Sequence, residues 1–373
     1  MKKILFLINR LSGGGAEKVL IDTVNNLDSE KYDITVQTVL SGGCYVNSLA
    51  PYVKYKSMIR AKKPFFAKLM YKILIKCLPA KWTYNLKVKD NYDVEIAFLE
   101  GVPTKIISNS SNKKSKKISW LHTDLISYPV SAKTIGGEKK EKESYEKVDH
   151  IVCVSNSVKE RLISKYALNA AKIKVLYNVL DDKNILEKSK EEVEVRLQQK
   201  PLLISVGRLC YEKGFDILLK VHKRLLDDGY NHSLVIVGEG NSRAELEKII
   251  NDNNLHGSAT LVGFQSNPYK YISKADLFVC SSRAEGYSMV ISEAAIIGVP
   301  VLSVDVSGAR EPFDNPRCSI IVANDEEHLY EGLKSVLSSS VKLEELKRDV
   351  KERSTTLTTK SLIDKVESFF DSL

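Results

Sequence analysis

The chain has 373 residues, of which 43% are hydrophobic, and its 56 lysines and arginines against 47 acidic residues give a formal net charge of +9. This hydrophobic fraction excludes an intrinsically disordered chain, and the ordinary numbers of glycine and proline exclude collagen-like and low-complexity classes. No apolar run approaches the roughly 20 residues of a bilayer-spanning helix, and the length predicts two domains.

Short apolar runs alternate with helix-length segments along the whole chain. The first run superficially resembles a signal peptide, but Asn9 and Arg10 interrupt it, so we interpret it as a buried strand. The predicted strands of the first half are residues 4–8, 34–40, 94–99, 118–121, 151–154 and 173–177. Those of the second half are residues 202–206, 234–237, 260–262, 277–280, 301–304 and 320–322. Predicted helices include residues 16–27, 215–226, 243–253, 292–297 and 361–373. Strands separated by helices predict an α/β fold with parallel sheets covered on both faces.

A domain boundary is predicted near residues 180–200. Residues 183–200 are highly charged and carry no strand pattern, and a new strand followed by glycine begins immediately after them. We therefore predict an N-terminal domain over residues 1–182, a second domain over 183–355, and a C-terminal helix over 356–373 that crosses back to the first domain.

The positive charge is concentrated in the first half of the chain. Residues 1–180 hold 31 basic and 16 acidic residues, and no acidic residue lies between Asp33 and Asp90. Within this stretch Lys68, Lys72 and Lys76 recur every four residues among apolar side chains of residues 65–78. This pattern is typical of a helix in a membrane interface, although a domain helix with one solvated face has the same pattern. The basic residues 54–89 predict an anionic partner, with a membrane surface favoured over nucleic acid because no nucleic-acid-binding signature is present.

Three loops that follow predicted strands carry candidate binding residues. The glycines at 13–15 open a helix, which suits either a phosphate or a simple turn. In the loop from Gly207 to Gly214, Arg208 and Lys213 can converge on a diphosphate, although solvated loop charges are an equally good interpretation. In the third loop Glu285 lies eight residues before Glu293, and residues 288–290 can open a helix whose N–H groups meet an anion.

Together these loops resemble the GT-B glycosyltransferases, specifically the large retaining family 4. The matching segments are Gly-Gly-Ala-Glu at residues 14–17, Val-Gly-Arg-Leu and Glu-Lys-Gly within residues 206–214, the Glu285 and Glu293 pair, and His122 in the segment 120–124. Residues 177–181 depart from the family pattern because they lack its glycine. The resemblance implies two Rossmann-like β/α/β domains facing across a cleft, with the acceptor bound by the first and the nucleotide sugar by the second.

The same resemblance implies a role for each matching residue. Arg208 and Lys213 are expected to neutralise the donor diphosphate, Glu285 to bind hydroxyls of the transferred sugar, and Glu293 to hold the ribose. His122 is expected to contact the sugar or the acceptor. Further donor-binding positions are implied in the glycine loops and at the helix start: Gly15, Gly207, Ser288, Met289 and Val290.

The predicted activity is transfer of a hexose from a nucleotide-diphosphate sugar, with retention of configuration, to a saccharide hydroxyl in cell-surface (for example capsule) polysaccharide synthesis. UDP-sugars are preferred as donors, and the basic first half suggests a polyprenyl-diphosphate-linked acceptor at the inner face of the cell membrane. The alternatives are a GDP-mannose-dependent mannosyltransferase, a GT-B epimerase or phosphorylase, and a non-catalytic saccharide-binding subunit.

No cofactor or metal is expected. The chain contains no Asp-x-Asp triplet and no Cys/His cluster, and its six cysteines are widely scattered, as is typical of a reducing, cytoplasmic compartment. Four histidines without motif partners are expected in surface or capping positions: His222, His232, His256 and His328.

Overall fold

The computed structural model describes residues 1–60, 64–126, 129–193, 200–313, 316–355 and 357–373. Contacts between residues divide the chain into two compact units. The first unit contains residues 1–180 together with 359–373, and the second contains residues 181–358.

The first unit is built on a seven-stranded parallel sheet. Its strands are β1 (Lys2–Ile8), β2 (Tyr32–Leu40), β3 (Lys54–Ile59), β4 (Val94–Ala97), β5 (Lys116–Leu121), β6 (His150–Cys153) and β7 (Ile173–Val175). Their order across the sheet is β3-β2-β1-β4-β5-β6-β7, and every neighbouring pair is parallel. Because β1 lies inside a sheet with both faces covered, Ile4 to Ile8 are fully buried, as their continuous apolar run predicts.

The helices of this unit that precede residue 180 are α1 (Gly15–Val24), α2 (Pro64–Tyr71), α3 (Ala80–Lys87), α4 (Val102–Ile107), α5 (Val130–Ile135), α6 (Glu138–Lys147) and α7 (Asn156–Tyr166). Helix α2 continues as a π-helical turn, Lys72–Cys77. Leu74 and Ile75 in that turn belong to the hydrophobic core beneath the sheet, together with Leu5 and Leu7 of β1.

The second unit contains a six-stranded parallel sheet. Its strands are β8 (Leu202–Val206), β9 (Ser233–Val237), β10 (Ala259–Gly263), β11 (Leu277–Cys280), β12 (Val301–Val304) and β13 (Ser319–Val322). They lie in the order β10-β9-β8-β11-β12-β13. This is the doubly wound arrangement in which the connections leave β8 and β11 in opposite directions.

The helices of the second unit are α8 (Asp182–Ser189), α9 (Phe215–Asp227), α10 (Arg243–Asp252), α11 (Tyr269–Ile272), α12 (Met289–Ile297), α13 (Glu326–Leu337) and α14 (Ser340–Ser354). The last helix, α15 (Thr359–Asp371), belongs to the first unit. There Phe370 packs edge-on against Phe6 and Tyr32, and the Tyr32 hydroxyl donates to Asp371. None of the described helices is both long and apolar enough to cross a bilayer.

The α/β fold prediction is confirmed, and each of the twelve predicted strands corresponds to a strand of the structure. The sequence analysis missed β3, whose sequence KYKSMI begins with alternating lysines. This strand lies at the sheet edge, where Lys54 pairs with Asp33 on β2. Because an edge strand needs only partial burial, its apolar pattern is weak.

The expectation for two of the histidines was wrong. His222 and His232 are buried, and His222 Nδ1 lies 2.7 Å from His232 Nε2. Each has a further partner, because His222 Nε2 contacts Ser258 Oγ at 3.0 Å and His232 Nδ1 contacts the Tyr230 carbonyl oxygen at 2.7 Å. Hydrogen bonding at both ends lets this pair lie inside the second unit.

Candidate functional site

The second unit places two of the candidate loops side by side. Strands β8 and β11 are neighbours in its sheet, and the loops that follow them begin at Gly207 and Ser281. In doubly wound sheets, ligands bind at the carboxyl ends of the strands at this switch point. The sheet topology therefore brings residues 207–214 and 281–288 together, although they are far apart in sequence.

A largely buried ion pair joins these two loops. Lys213 Nζ lies 2.6 Å from Glu285 Oε1, and the two side chains are only 22% and 12% exposed. The Ser282 hydroxyl donates to the same carboxylate oxygen at 2.7 Å. Burial lowers the pKa of Lys213, but the adjacent carboxylate outweighs it and raises the pKa above its ordinary value. The lysine is therefore a fixed positive charge held by Glu285.

Glycines allow the close approach of the two loops. Gly214 has a φ of +63°, and a Cβ atom there would lie 2.1 Å from the carbonyl oxygen of Ser281. At Gly207 a Cβ atom would lie 3.3 Å from the Lys213 side chain. The Ser281 hydroxyl also donates to the Lys213 carbonyl oxygen. Backbone contact of this kind is one of the roles that glycine alone fills.

Arg208 is placed differently from Lys213. Its side chain is exposed, and among the described residues it has no carboxylate partner. The structure thus brings Lys213 and Glu285 together but leaves the Arg208 guanidinium exposed, outside this ion pair.

Helix α12 begins beside the third loop, with Ser288 as its N-cap residue. The Ser288 side chain forms no capping hydrogen bond, and its Oγ is buried without a partner among the described residues. Met289 and Val290 begin the first turn of the helix, whose N–H groups are directed towards its N-terminal end. A buried hydroxyl without a partner is costly, so this helix start is suited to a ligand that supplies an acceptor.

Glu293 lies one turn further along α12 and is buried. The Tyr269 hydroxyl donates to its Oε1 at 3.1 Å. Tyr269 comes from α11, which sequence reasoning did not connect with the site. This contact fixes the orientation of the Glu293 carboxylate.

In the first unit, amides of the glycine loop after β1 are hydrogen-bonded to a side chain of α1, the helix that follows the loop. The N–H groups of Gly13 and Gly14 donate to Glu17 Oε2 at 2.7 and 3.2 Å. The carboxylate thus occupies the amides proposed for a phosphate, so the structure favours the turn interpretation of this loop. Gly15 begins α1, and no described atom lies within 4 Å of where its Cβ would be.

His122 follows β5 and is buried against Phe98, with ring centroids 4.6 Å apart. Burial lowers the pKa of His122 to about 3, so the imidazole is neutral at physiological pH. Its Nε2 has no hydrogen-bond partner among the described residues. The neutral ring can donate or accept a hydrogen bond but brings no positive charge.

Glu100 is a residue that the sequence analysis missed. Its Oε2 accepts the backbone N–H of His122 at 3.1 Å, and its Oε1 accepts the Thr123 hydroxyl at 2.6 Å. Burial raises the pKa of the Glu100 carboxyl. The available signal was its position just after the predicted strand 94–99, since carboxyl ends of neighbouring parallel strands share one sheet edge. Glu100 holds the His122 loop in place.

The described part of the chain contains no candidate metal-binding cluster, because no three His, Cys, Asp or Glu side chains lie close enough there to hold a metal ion.

Comparison with known proteins identifies the class. Residues 13–184 match the model described as Glycosyltransferase Family 4, and residues 187–355 match Glycosyl transferases group 1. The crystal structure of Anabaena Alr3699/HepE in complex with UDP-glucose has a TM-score of 0.78 at 18% identity, covering 100% of both chains. The chain therefore belongs to the glycosyltransferases of the GT-B fold.

Two sequence relatives have names that state more about their own activities than the family descriptions do. The chain is 29% identical over 393 residues to the N-acetylgalactosamine-N,N'-diacetylbacillosaminyl-diphospho-undecaprenol 4-alpha-N-acetylgalactosaminyltransferase of Campylobacter jejuni, covering 100% of this chain and 99% of the relative. It is 25% identical to the amylovoran biosynthesis glycosyltransferase AmsD of Erwinia amylovora, covering 82% and 81%. The predicted enzyme class is confirmed, whereas donor, acceptor and stereochemistry stay predictions.

Proposed function

We propose that this glycosyltransferase moves a hexosyl residue, with retention of configuration, from a UDP-sugar to a hydroxyl of a polyprenyl-diphosphate-linked saccharide. The observation that carries the donor half is the Lys213–Glu285 pair beside the start of α12. The acceptor half is supported by the Campylobacter relative, whose name specifies an undecaprenol-linked acceptor.

The donor diphosphate is assigned to Lys213, Arg208 and the start of α12. Breaking the bond between the sugar C1 and the diphosphate oxygen leaves negative charge on phosphate. A preorganised lysine, helix N–H groups and the Ser288 hydroxyl stabilise that charge. Arg208 has a long, exposed side chain, so its guanidinium can reach the diphosphate and bind it with two parallel hydrogen bonds.

The sugar and ribose are assigned to carboxylates. Glu285 accepts hydroxyls of the transferred sugar while Lys213 and Ser282 hold it in place, and Glu293, oriented by Tyr269, accepts ribose hydroxyls. The acceptor hydroxyl forms the new bond to C1 on the face that the diphosphate leaves, and its proton passes to the departing phosphate. Neutral His122 contacts the sugar or the acceptor, held by Glu100.

Nucleotide binding tests this proposal directly. Thermal shifts are measured with UDP, GDP and ADP, because a ligand at 100 times its Kd stabilises a protein by about 2.7 kcal/mol. We expect UDP to give the largest shift. UDP-glucose, UDP-galactose, UDP-N-acetylhexosamines and GDP-mannose are then compared as donors, and the anomer of the product is assigned by NMR.

Stabilisation by GDP but not UDP would replace the donor with GDP-mannose, and an inverted product would contradict the retaining chemistry. Release of free nucleotide without any acceptor, together with interconversion of the sugar, would favour the epimerase. Absence of binding by every nucleotide would favour a non-catalytic saccharide-binding subunit.

A further inference from the structure

A further arginine, Arg283, lies between the two loops that carry Lys213 and Glu285. It comes two residues before Glu285 in the loop after β11, and its side chain is 23% exposed. The guanidinium extends to the loop after β8 and to the first turn of α9. The donor contacts proposed for Lys213, Arg208 and α12 do not include this residue.

Arg283 forms a forked ion pair with Asp216, which lies in the first turn of α9. Nη1 of the arginine lies 2.8 Å from Oδ1 of the carboxylate, and Nη2 lies 2.7 Å from Oδ2. These hydrogen bonds raise the pKa of Arg283 and lower the pKa of Asp216. A bidentate contact fixes the plane of the guanidinium as well as its position.

The fixed guanidinium holds the 3₁₀ turn that ends with Lys213. Nη1 of Arg283 also donates to the Tyr211 carbonyl oxygen at 2.7 Å, and the Arg283 backbone N–H donates to the Glu212 carbonyl oxygen at 2.7 Å. The Ser281 hydroxyl donates to the Lys213 carbonyl oxygen at 3.1 Å. All three carbonyl groups of this turn therefore accept hydrogen bonds from the loop after β11.

Two further contacts restrain Arg283 itself. Its Cζ lies 4.1 Å from the centroid of the Tyr211 ring, an arrangement in which the ring face attracts the cation. Asn324, which follows β13, donates from Nδ2 to the Arg283 carbonyl oxygen at 3.2 Å. The loops after β8, β11 and β13 are thus joined through this one residue.

This restraint bears on the chemistry assigned to Lys213 and Glu285. A charged group stabilises a transition state best when it is in place before the reaction generates charge. A displacement of about 1 Å in a reacting site can lower a rate by about 100-fold. Because Arg283 joins the turn of Lys213 to the loop of Glu285 through both side chain and backbone, it sets the relative position of the two groups.

We propose that Arg283 is a positioning residue for the transfer reaction: through its forked pair with Asp216 it joins the two loops and presents Lys213 to the donor diphosphate in a fixed place. The inference rests on the proposed function, because Lys213 and Glu285 are the residues assigned there to the donor. The effect of Arg283 on the donor passes through those two side chains.

The experiment compares transfer rates of Arg283→Gln and Asp216→Asn, which break the forked pair from either side, at a temperature where each variant is folded by circular dichroism. The matched control is Arg224→Gln. Arg224 also forms a forked pair, with Glu327, and its Cζ lies 3.6 Å from the Tyr330 ring centroid, but these contacts join α9 to α13. We expect Arg283→Gln to lower kcat by about 10- to 100-fold, Asp216→Asn by a smaller factor, and the control by less than about 2-fold.

A double-variant cycle with Lys213→Gln separates positioning from a general structural role. If Arg283 acts through Lys213, then Arg283→Gln should lower kcat by less than about 3-fold when residue 213 is already glutamine. A purely structural loss would be equally large in both backgrounds. Arg283→Lys keeps the charge but cannot form the fork, so it should restore only part of the rate.

Two outcomes would overturn the inference: a kcat of Arg283→Gln equal to that of Arg224→Gln, or an equal loss with and without Lys213. Should Arg283→Gln not fold, Asp216→Asn and its control Glu327→Gln provide the same comparison and the same cycle. UDP binding and transfer by the wild type are measured alongside. A wild type that neither binds UDP nor transfers a sugar contradicts the proposed function, whereas an active wild type with an unaffected Arg283→Gln contradicts this inference alone.

Discussion

Lys213 and Glu285, separated by 72 positions in sequence, meet at 2.6 Å between Nζ and Oε1 beyond the carboxyl ends of the two central strands of the second sheet. The contact exists because β8 and β11 are neighbours, and it holds a cation and a carboxylate where the two loops approach. The pair therefore offers the most direct test of the proposed donor site.

Replacing Lys213 with Gln should lower kcat by about 100- to 1000-fold, the loss typical of removing one preorganised transition-state contact. Glu285→Gln should cause a comparable loss, since it removes both the sugar contact and the support of the lysine. Transfer rates are measured with the best donor of the panel. Lys220→Gln, an exposed position on α9, is the control, and equal rates in all three variants would contradict the assignment.

Gly214→Ala should destabilise the protein and weaken nucleotide binding. A Cβ atom there clashes with the Ser281 carbonyl oxygen at 2.1 Å and also forces an unfavourable positive φ. Gly229→Ala is a matched control, because Gly229 has a φ of +86° but no described atom within 4 Å of the added Cβ. We expect a cost of about 1 kcal/mol for the control and a clearly larger one for Gly214→Ala. Melting temperatures and UDP affinities measure both effects, and similar behaviour of the two variants would count against the close approach of the loops.

Ser288→Ala should change UDP affinity without lowering the stability of the protein. The Ser288 Oγ is buried without a partner among the described residues, so its removal should leave the melting temperature unchanged or raise it slightly. If the hydroxyl donates to the donor phosphate, UDP binding should weaken by about 10-fold. Both quantities come from one thermal titration with UDP. A lower melting temperature combined with unchanged UDP affinity would show that the hydroxyl stabilises the folded protein and does not bind the donor.

The His222–His232 pair should make the second unit sensitive to acid. Burial lowers the pKa of His222 to about 3 from its ordinary 6.5, and it also lowers that of His232. Below pH 6.5 these imidazoles therefore bind protons in the unfolded chain but stay neutral in the folded chain. The free energy of unfolding is therefore at its full value above pH 6.5 and declines as the pH falls towards 3. The decline is about 1.4 kcal/mol per pH unit for one such histidine.

Histidine NMR provides the measurement. The ring signals of His222 should not titrate between pH 7.5 and 5, whereas those of the same residue in 8 M urea should. Because His232 Nδ1 faces the Tyr230 carbonyl oxygen, the spectrum should show His232 protonated at Nδ1. Assignment uses His222→Gln and His232→Gln, and a His222 midpoint near 6.5 in the folded protein would contradict this account.

The exposed aromatic residues at the start of α2 should contribute to membrane association. Phe65→Gln/Phe66→Gln removes two large exposed apolar side chains, so the fraction that sediments with anionic vesicles at low salt should fall without a change in melting temperature. Phe264→Gln, at an equally exposed phenylalanine of the second unit, is the control. If neither the wild type nor the variant sediments, the predicted peripheral location is wrong.

The amino-acid sequence alone determined the fold class and named most of the candidate site residues. Continuous apolar runs such as residues 4–8 and 202–206 predict strands buried on both faces, because such burial removes the alternation of half-exposed strands. The loops with Lys213, Glu285 and Glu293 were recognisable because glycines and charged residues follow predicted strands directly.

The tertiary structure alone decided which of these groups meet. Strand order in the sheets brought Glu285 to Lys213 and Glu100 to the His122 loop, and the connection between α9 and β9 placed His232 against His222 of α9. Local sequence patterns do not predict these contacts, because the contacts join residues 10, 22 and 72 positions apart. Lys68, Lys72 and Lys76 likewise form a recognisable stripe in the sequence, but only the folded first unit places Arg10 with them in the lining of one cavity.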